Sequence, residues 1–278
     1  MVHHDTATMQ SREFTWTTAD FHRIKDLIYR HAGISLHDGK QAMVYSRIAR
    51  RLRETGLQSF RDYLELLERD GHTGEWQEFI NALTTNLTSF FRENHHFSEL
   101  SRLVREGGAR DWKIWCSAAS TGEEPYSIAI TMADALGLNG RFQIWASNID
   151  TKVLQTAARG VYKVDGLKNL SQEQLRKYFL KGKGNNEGLA RVRPELQKHI
   201  QFFTLNLIED NWSLREEFDV VFCRNVMIYF DNPTQRQVLA RIHRLMKPRS
   251  TLFVGHAENF SDARALFTLR GKTIYEKV

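Results

Sequence analysis

The stretch Phe222-Cys223-Arg224-Asn225-Val226-Met227-Ile228-Tyr229-Phe230 places a guanidinium, an amide and a phenol directly behind an apolar run that begins at Phe218-Asp219-Val220-Val221. The run has β-branched members and reads as a buried strand of a parallel sheet. Polar groups clustered at a strand's carboxyl end lie where open α/β sheets bind ligands. An isolated strand with such an ending would be a core strand with a polar loop. Two further segments repeat the pattern.

Behind a second apolar run comes Ser117-Ala118-Ala119-Ser120-Thr121-Gly122-Glu123-Glu124-Pro125-Tyr126. It has the position of a dinucleotide-binding loop without the glycine fingerprint, although its small residues let backbone approach a ligand closely. Glu123 and Glu124 at a helix start would repel a phosphate. They suit a cationic ligand without one, and S-adenosylmethionine, with its sulfonium and ammonium groups, answers that description. Taken singly, each Glu could merely complement the helix dipole. The next strand ends in Ser147-Asn148-Ile149-Asp150, where a polar side chain commonly meets the ribose hydroxyls of a nucleoside. Asn148 can make that bond without charge assistance, while Asp150 can cap the helix that follows. Between the two halves of the chain lies Asn86-Leu87-Thr88-Ser89-Phe90-Phe91-Arg92-Glu93-Asn94-His95-His96-Phe97, dense in hydrogen-bonding groups yet holding three Phe. Adjacent residues on a helix point in different directions, so the neighbouring His95 and His96 are not expected to hold a metal.

The elements that must carry these residues fall into two classes. From Thr18 to about Asn86 the periodicity is helical: a first helix closed by Gly33, a second from about Asp38 to Thr55 stopped by Gly56, a third over Ser59 to Arg69 broken by Gly71, and a fourth from Gly74 to about Leu83. Residues 1 to about 14 are patternless and read as a mobile tail. Beyond Asn86, strands at 112–116, 142–147, 200–203, 220–223 and 251–255 alternate with helices at 125–136, 151–158 and 233–246. That rhythm predicts a parallel, doubly wound sheet. It breaks at about 165 to 200, where a helix, the run Lys181-Gly182-Lys183-Gly184-Asn185-Asn186-Glu187-Gly188 and a short strand at 189–192 suggest a small antiparallel insertion. The expected domains are therefore 15–85 and 86–278.

The composition fits a soluble globular chain: 278 residues, 41% hydrophobic and 26% charged. No apolar run reaches membrane-spanning length and no secretory signal precedes the helices, so a cytoplasmic location is expected. Two cysteines, Cys116 and Cys223, both in strands, give neither a disulfide framework nor a zinc site. A net charge of +6 favours an acidic partner, whether nucleic acid, anionic membrane or protein.

Three runs, Asn86-Leu-Thr-Ser-Phe-Phe-Arg92, Ala119-Ser-Thr-Gly-Glu-Glu-Pro-Tyr-Ser127 and Phe222-Cys-Arg-Asn-Val-Met-Ile-Tyr-Phe230, together resemble the bacterial chemotaxis receptor methyltransferases, the CheR family. The likeness runs from about Phe21 to Tyr275. It implies an all-α amino-terminal domain before a Rossmann-like S-adenosylmethionine-dependent methyltransferase domain with an inserted small antiparallel β-subdomain. It also implies methyl transfer to glutamate side chains of membrane chemoreceptors. By matched position, Asn86, Thr88, Arg92, Glu124, Asn148, Asn206, Leu207, Cys223 and Arg224 would line the cofactor, with Tyr229 and Arg92 near the methyl group. The family usually has Asp where this chain has Asn148.

The second helix carries Val44, Ile48 and Leu52 on one stripe and Arg47, Arg50 and Arg53 on another, joined by Lys40 and Arg51. A solvated face is the ordinary fate of such charges. The resemblance makes them a docking surface for acidic receptor helices. Gly182, Gly184 and Gly188 would permit a tight loop beside a sheet edge, which the resemblance links to capture of a receptor's carboxyl-terminal pentapeptide. Nothing suggests a coiled coil, and a monomer is expected, with no membrane insertion. One rival, a nucleic-acid methyltransferase, would carry an Asn/Asp-Pro-Pro-aromatic run where this chain has Arg224 to Tyr229. It would also show exposed aromatics among the basic residues. The other, a non-catalytic S-adenosylmethionine-binding module, would not need Arg92 and Tyr229.

Overall fold

Glycines punctuate the helical segment as the pattern predicts. In the computed structural model, which describes residues 13–69, 74–260 and 263–278, helix α1 (Thr18–Ala32) ends at Gly33 with φ +69°. Helix α2 (Gln41–Thr55) ends at Gly56, whose left-handed backbone returns its N–H to the carbonyls of Arg53 and Leu52. The expected start of α2 at Asp38 is instead a 3-10 turn, Asp38–Lys40, because the His37 ring takes the Gly39 N–H. Helices α3 (Phe60–Arg69) and α4 (Gly74–Leu83) follow. The break expected at Gly71 lies outside the described residues, as do residues 1–12 of the expected tail. Phe14 is buried and packs edge-on against Phe60.

The chain divides into two compact units. One takes residues up to His31 with Ser35–Leu83, and the other takes Ala32–Ile34 with Thr84–Val278.

In the helical unit Val44, Ile48 and Leu52 are fully buried, whereas the neighbouring basic side chains separate into two fates. Arg51 turns inward, donating to both Glu75 oxygens (2.9 and 2.6 Å) and pairing with Glu54 and Glu78, while the Tyr63 hydroxyl donates to Glu75 at 2.6 Å. It is therefore not part of the exposed basic face. Removing one member of a buried ion pair strands the other, a loss of about 3 kcal/mol. Arg51→Ala should lower the unfolding free energy of this unit by that order in denaturant titrations, while Arg50→Ala, at an exposed position, changes it little.

The second unit opens with α5 (His95–Gly107) and then alternates: β1 (Trp112–Cys116), α6 (Glu123–Leu136), β2 (Phe142–Asn148) and α7 (Thr151–Arg159). Next come β3 (Val161–Lys163), α8 (Gln172–Tyr178), β4 (Phe179–Lys181), β5 (Leu189–Val192) and α9 (Pro194–Gln197). It finishes with β6 (Ile200–Thr204), β7 (Phe218–Cys223), α10 (Asn232–Arg244), β8 (Met246–Val254), β9 (Phe267–Gly271) and β10 (Ile274–Lys277). The large sheet has the order β6-β2-β1-β7-β8-β10-β9, parallel through β8, with β10 antiparallel to β8 and β9 antiparallel to β10. This is the doubly wound sheet that the rhythm predicted. Strands β3, β5 and β4 form the small antiparallel sheet.

Strand period two sends alternate residues to opposite faces. Ile114 and Cys116 join the core under α5 and α6, while Trp115 joins the core under α10; Val220 and Phe222 part from Val221 and Cys223 in the same way. The two cysteines thus face opposite layers and are free. Strand β8 begins five residues earlier than the pattern suggested, at Met246 rather than Thr251. Its register against β7 shifts between Phe218 and Val220, which accommodates Pro248.

Candidate functional site

Strands β6, β2 and β1 run one after another, and β7 lies on the other side of β1. The order of winding therefore reverses between β1 and β7, and ligands bind beside the carboxyl ends at such a reversal. The residues expected to line a cofactor come from this edge. Asn148 ends β2, Asn206 and Leu207 follow β6, Cys223 ends β7 and Arg224 follows it. The Ser117 N–H donates to the Phe222 carbonyl at 2.9 Å and ties the loop after β1 to β7.

That loop is tightly folded. Ala119 N–H donates to Ser147 O at 2.8 Å, and Gly122 sits at φ +102° with its α-carbon facing α7. A Cβ at Gly122 would meet the Tyr162 hydroxyl at 2.5 Å and Ala157 at 3.0 Å, so no larger residue fits. The segment 84–92 is anchored to the same edge. The Asn86 carbonyl accepts from Ser120 Oγ (3.0 Å), the Asn86 amide donates to Asp150 (2.9 Å), and the Phe91 N–H donates to Ser127 Oγ (2.9 Å). Asp150 is buried and serves two ends at once. One oxygen caps α7 through the N–H groups of Lys152 and Val153; the other accepts from Thr84 and Asn86. Asn148 keeps its carbonyl oxygen on the Asp150 N–H at 2.9 Å, and Asn206 accepts from Ile208 N–H at 3.3 Å. Thr88 is half-buried in the same anchored segment.

Arg224 is the electrostatic centre. Its side chain has no solvent exposure, and it donates to Glu124 (2.5 Å) and to the Arg92 carbonyl (2.5 Å), with a Glu93 oxygen at 3.4 Å. Burial pushes the Glu124 carboxyl above its usual range, although the Arg224 charge opposes this. Glu93 also feels burial, but it is less deeply placed. Arg224 and the His256 N–H outweigh that penalty and hold it below its usual range. Glu124 therefore faces Arg224, with Cys116 Sγ 3.4 Å from its other oxygen, rather than standing as an open carboxylate. Burial also raises Glu123, which the Thr121 hydroxyl contacts at 2.6 Å. His96 is fully buried, with its Nε2 beside Thr273 Oγ1 at 3.0 Å, and burial takes its pKa to about 3, so the ring is neutral. His95 lies against the Lys272 carbonyl.

Two guanidiniums (Arg92, Arg224) interleave with three carboxylates (Glu93, Glu123, Glu124), and two amides lie at the ends of neighbouring strands, Asn148 closing β2 and Asn206 two residues beyond β6. This donor set fits a nucleoside that carries an amino-acid group of both charges, and the loop without a phosphate cradle fits it as well. Arg92 is half-buried and its guanidinium donates to the Leu87 carbonyl at 2.9 Å. Tyr229 closes a 3-10 turn, Met227–Tyr229, five residues beyond Arg224. Arg47, Arg50 and Arg53 lie in the other unit, on α2. Arg47 donates to the Ala82 carbonyl, while Arg50 and Arg53 are exposed and pair with Glu54 and Glu13. In the small sheet a Cβ on Gly182 would meet the Asn186 carbonyl at 2.0 Å, and Gly184 and Gly188 take positive φ in open space. Glu93 and Glu258, which bind this edge, were not expected from the sequence.

Residues 19–84 match the family described as CheR methyltransferase, all-alpha domain, and residues 86–275 match CheR methyltransferase, SAM binding domain. The chain is 54% identical over 258 residues to the chemotaxis protein methyltransferase of Escherichia coli, covering 92% of this chain and 90% of that protein. It is 48% identical over 268 residues to chemotaxis protein methyltransferase 2 of Pseudomonas aeruginosa, covering 95% of each. A probable chemotaxis protein methyltransferase of Rhizobium etli is 37% identical over 260 residues, covering 90% of this chain and 96% of that protein.

Proposed function

Since this chain belongs to the CheR methyltransferase family, whose S-adenosylmethionine-binding domain it carries, we propose that it esterifies glutamate side chains on the cytoplasmic domains of membrane chemoreceptors. The products are the glutamate methyl ester and S-adenosylhomocysteine. The observation that carries this reading is the single sheet edge where Asn86, Arg92, Glu124, Asn148, Asn206, Leu207, Cys223 and Arg224 gather, with the Arg92 backbone held by Arg224.

When bound, S-adenosylmethionine supplies an electrophilic methyl on a sulfonium. A glutamate acceptor is already ionised at neutral pH, so no side chain here has to remove a proton. Attack of an anion on a cation spreads charge, so a site that excludes water favours it. The task left to the residues is alignment. Asn148 and Asn206 present amides to the nucleoside, and Asn148 lacks the charge assistance an Asp would give. Arg224 sets the Glu124 side of the pocket. Arg92 holds the acceptor carboxylate, and the Tyr229 hydroxyl donates to one of its oxygens.

Transfer of radiolabelled methyl from S-adenosylmethionine to a receptor cytoplasmic fragment tests the reading. Label on the fragment that base releases as methanol would mark a carboxyl ester; bound cofactor with no labelled protein would leave a non-catalytic module. For receptor choice, Arg50 and Arg53, joined by Arg47, offer an exposed basic stripe to acidic helices. The double change Arg50→Glu and Arg53→Glu should cut receptor methylation at least tenfold, by reversing charge attraction that high salt also screens. Cofactor affinity, measured by calorimetry, should stay constant; equal loss of both would refute the docking role. The edge strand β4, beside Gly182, Gly184 and Gly188, would take the receptor's carboxyl-terminal pentapeptide as an added strand.

A further inference from the structure

Glu258 is a carboxylate used wholly for holding backbone. It is only 4% exposed and receives five main-chain N–H groups. Gly255 and Asn225 donate to Oε2 at 2.5 and 2.9 Å; Val226, Met227 and Ile228 donate to Oε1 at 3.0, 2.8 and 3.4 Å. Every partner is a donor, so only two acceptor oxygens satisfy them all.

Four of the five donors lie in the segment between Arg224 and Tyr229. Gln235 holds the carbonyls of Met227 and Phe230, but the N–H groups of Asn225 to Ile228 are held by Glu258. Asn225 takes a left-handed backbone at φ +57°, which a non-glycine residue adopts at some cost. The 3-10 turn that ends in Tyr229 has no side-chain cap from its own N-terminal residue, Val226. Glu258 supplies the missing acceptor from the far side of the strand end. The approach is so close that a Cβ on Gly255 would lie 2.8 Å from both the Asn225 nitrogen and Glu258 Oε2. Arg224, by contrast, is pinned by Glu124 and the Arg92 carbonyl without help from Glu258.

We propose that Glu258 is a positioning residue for methyl transfer: by binding the N–H groups of Asn225 to Ile228 it fixes where the Tyr229 hydroxyl meets the acceptor carboxylate. The proposal rests on the reading of Tyr229 given above. Both Glu258 oxygens are taken by backbone N–H groups, so its action on the acceptor runs through Tyr229. Glu258→Gln keeps the volume but turns an amide N–H₂ toward one of the two sets of backbone donors, so the segment must shift.

The test is a double-mutant cycle on the full chain with Glu258→Gln, Tyr229→Phe and both together. Turnover on a receptor fragment at saturating S-adenosylmethionine and cofactor dissociation constants are the two readouts. Glu258→Gln alone should lower kcat about tenfold while cofactor affinity moves less than about threefold. With Phe already at 229, the same change should cost less than about twofold, because the hydroxyl it positions is gone. Multiplying effects, or kcat and cofactor affinity falling together, would show that Glu258 supports the fold at large and would overturn the proposal. An unchanged kcat for Tyr229→Phe alone would instead remove the role of Tyr229, and the inference with it. Should Glu258→Gln fail to fold, Glu258→Asp, which retains the charge but reaches less far, completes the same cycle with the same two outcomes.

Discussion

Arg224→Met is expected to weaken S-adenosylmethionine binding at least a hundredfold and to cost the fold about 3 kcal/mol. Methionine nearly matches the volume but supplies no donor. Glu124 then loses its 2.5 Å partner, Glu93 loses its nearest cation, and the Arg92 carbonyl loses the bond that holds the 86–92 segment to β7. The sign of the pH response follows from Glu124. Burial already raises its folded carboxyl pKa, and Arg224 is what pulls it back. Without Arg224 the folded value climbs further above the unfolded one. A carboxyl with a raised folded pKa contributes stability while protonated, and that contribution is lost as pH rises through the folded pKa. The variant should therefore recover stability relative to the parent as pH falls from neutral toward the range where the Glu124 carboxyl takes up its proton, read in denaturant melts. Adding Glu124→Gln should flatten that dependence and return part of the lost stability. Calorimetry supplies the cofactor arm, and a variant that bound cofactor within threefold of the parent, with a loss indifferent to pH, would sink the argument.

Long-range pairing of this kind is what the sequence concealed. Strands β1 and β5 and helix α4 appear at the bounds their patterns predicted, because each has a clear period and a glycine or charged boundary. The candidates at the ends of β2 and β7 stood out for a related reason: polar groups at a buried strand's carboxyl end are conspicuous. Their partners were not. Glu124 and Arg224 stand 100 residues apart, and Asp150 reaches Asn86 across 64, so no local window holds both members. Sequence reasoning accordingly offered Glu124 to a cationic ligand, and the fold turned it to Arg224. Helix α5 carries Phe97, Leu100 and Val104 at helical spacing, but the polar run that leads into it reads as a join between the two halves of the chain. Strands β3 and β4 have three residues each, too few to show a period. Glu258 follows β8 as Arg224 follows β7, so the same rule about strand ends, applied once more, would have singled it out.

Tyr229→Phe should lower kcat on a receptor fragment by about 10- to 100-fold, as expected from a hydrogen bond to a charged group worth about 1.5–3 kcal/mol. The backbone at this position is held without the Tyr229 hydroxyl. Tyr229 N–H donates to Val226 O at 3.1 Å, and Gln235 donates to the Met227 and Phe230 carbonyls at 2.9 and 3.0 Å. The ring packs against the core beneath α10, so Phe keeps its place and loses only the hydroxyl. A donor on one carboxylate oxygen costs the nucleophile some electron density, but it leaves the other oxygen free and points it. Orientation outweighs basicity when the acceptor is already an anion. Arg92 should divide differently. Its guanidinium is half-exposed and bonded to the Leu87 carbonyl, so Arg92→Met should appear mainly as a raised KM for receptor. Cofactor affinity is the control for Tyr229→Phe, since nothing assigned to the nucleoside passes through its hydroxyl. A kcat equal to the parent's, at saturating receptor and cofactor, would take Tyr229 out of the reaction and leave Arg92 alone to align the acceptor.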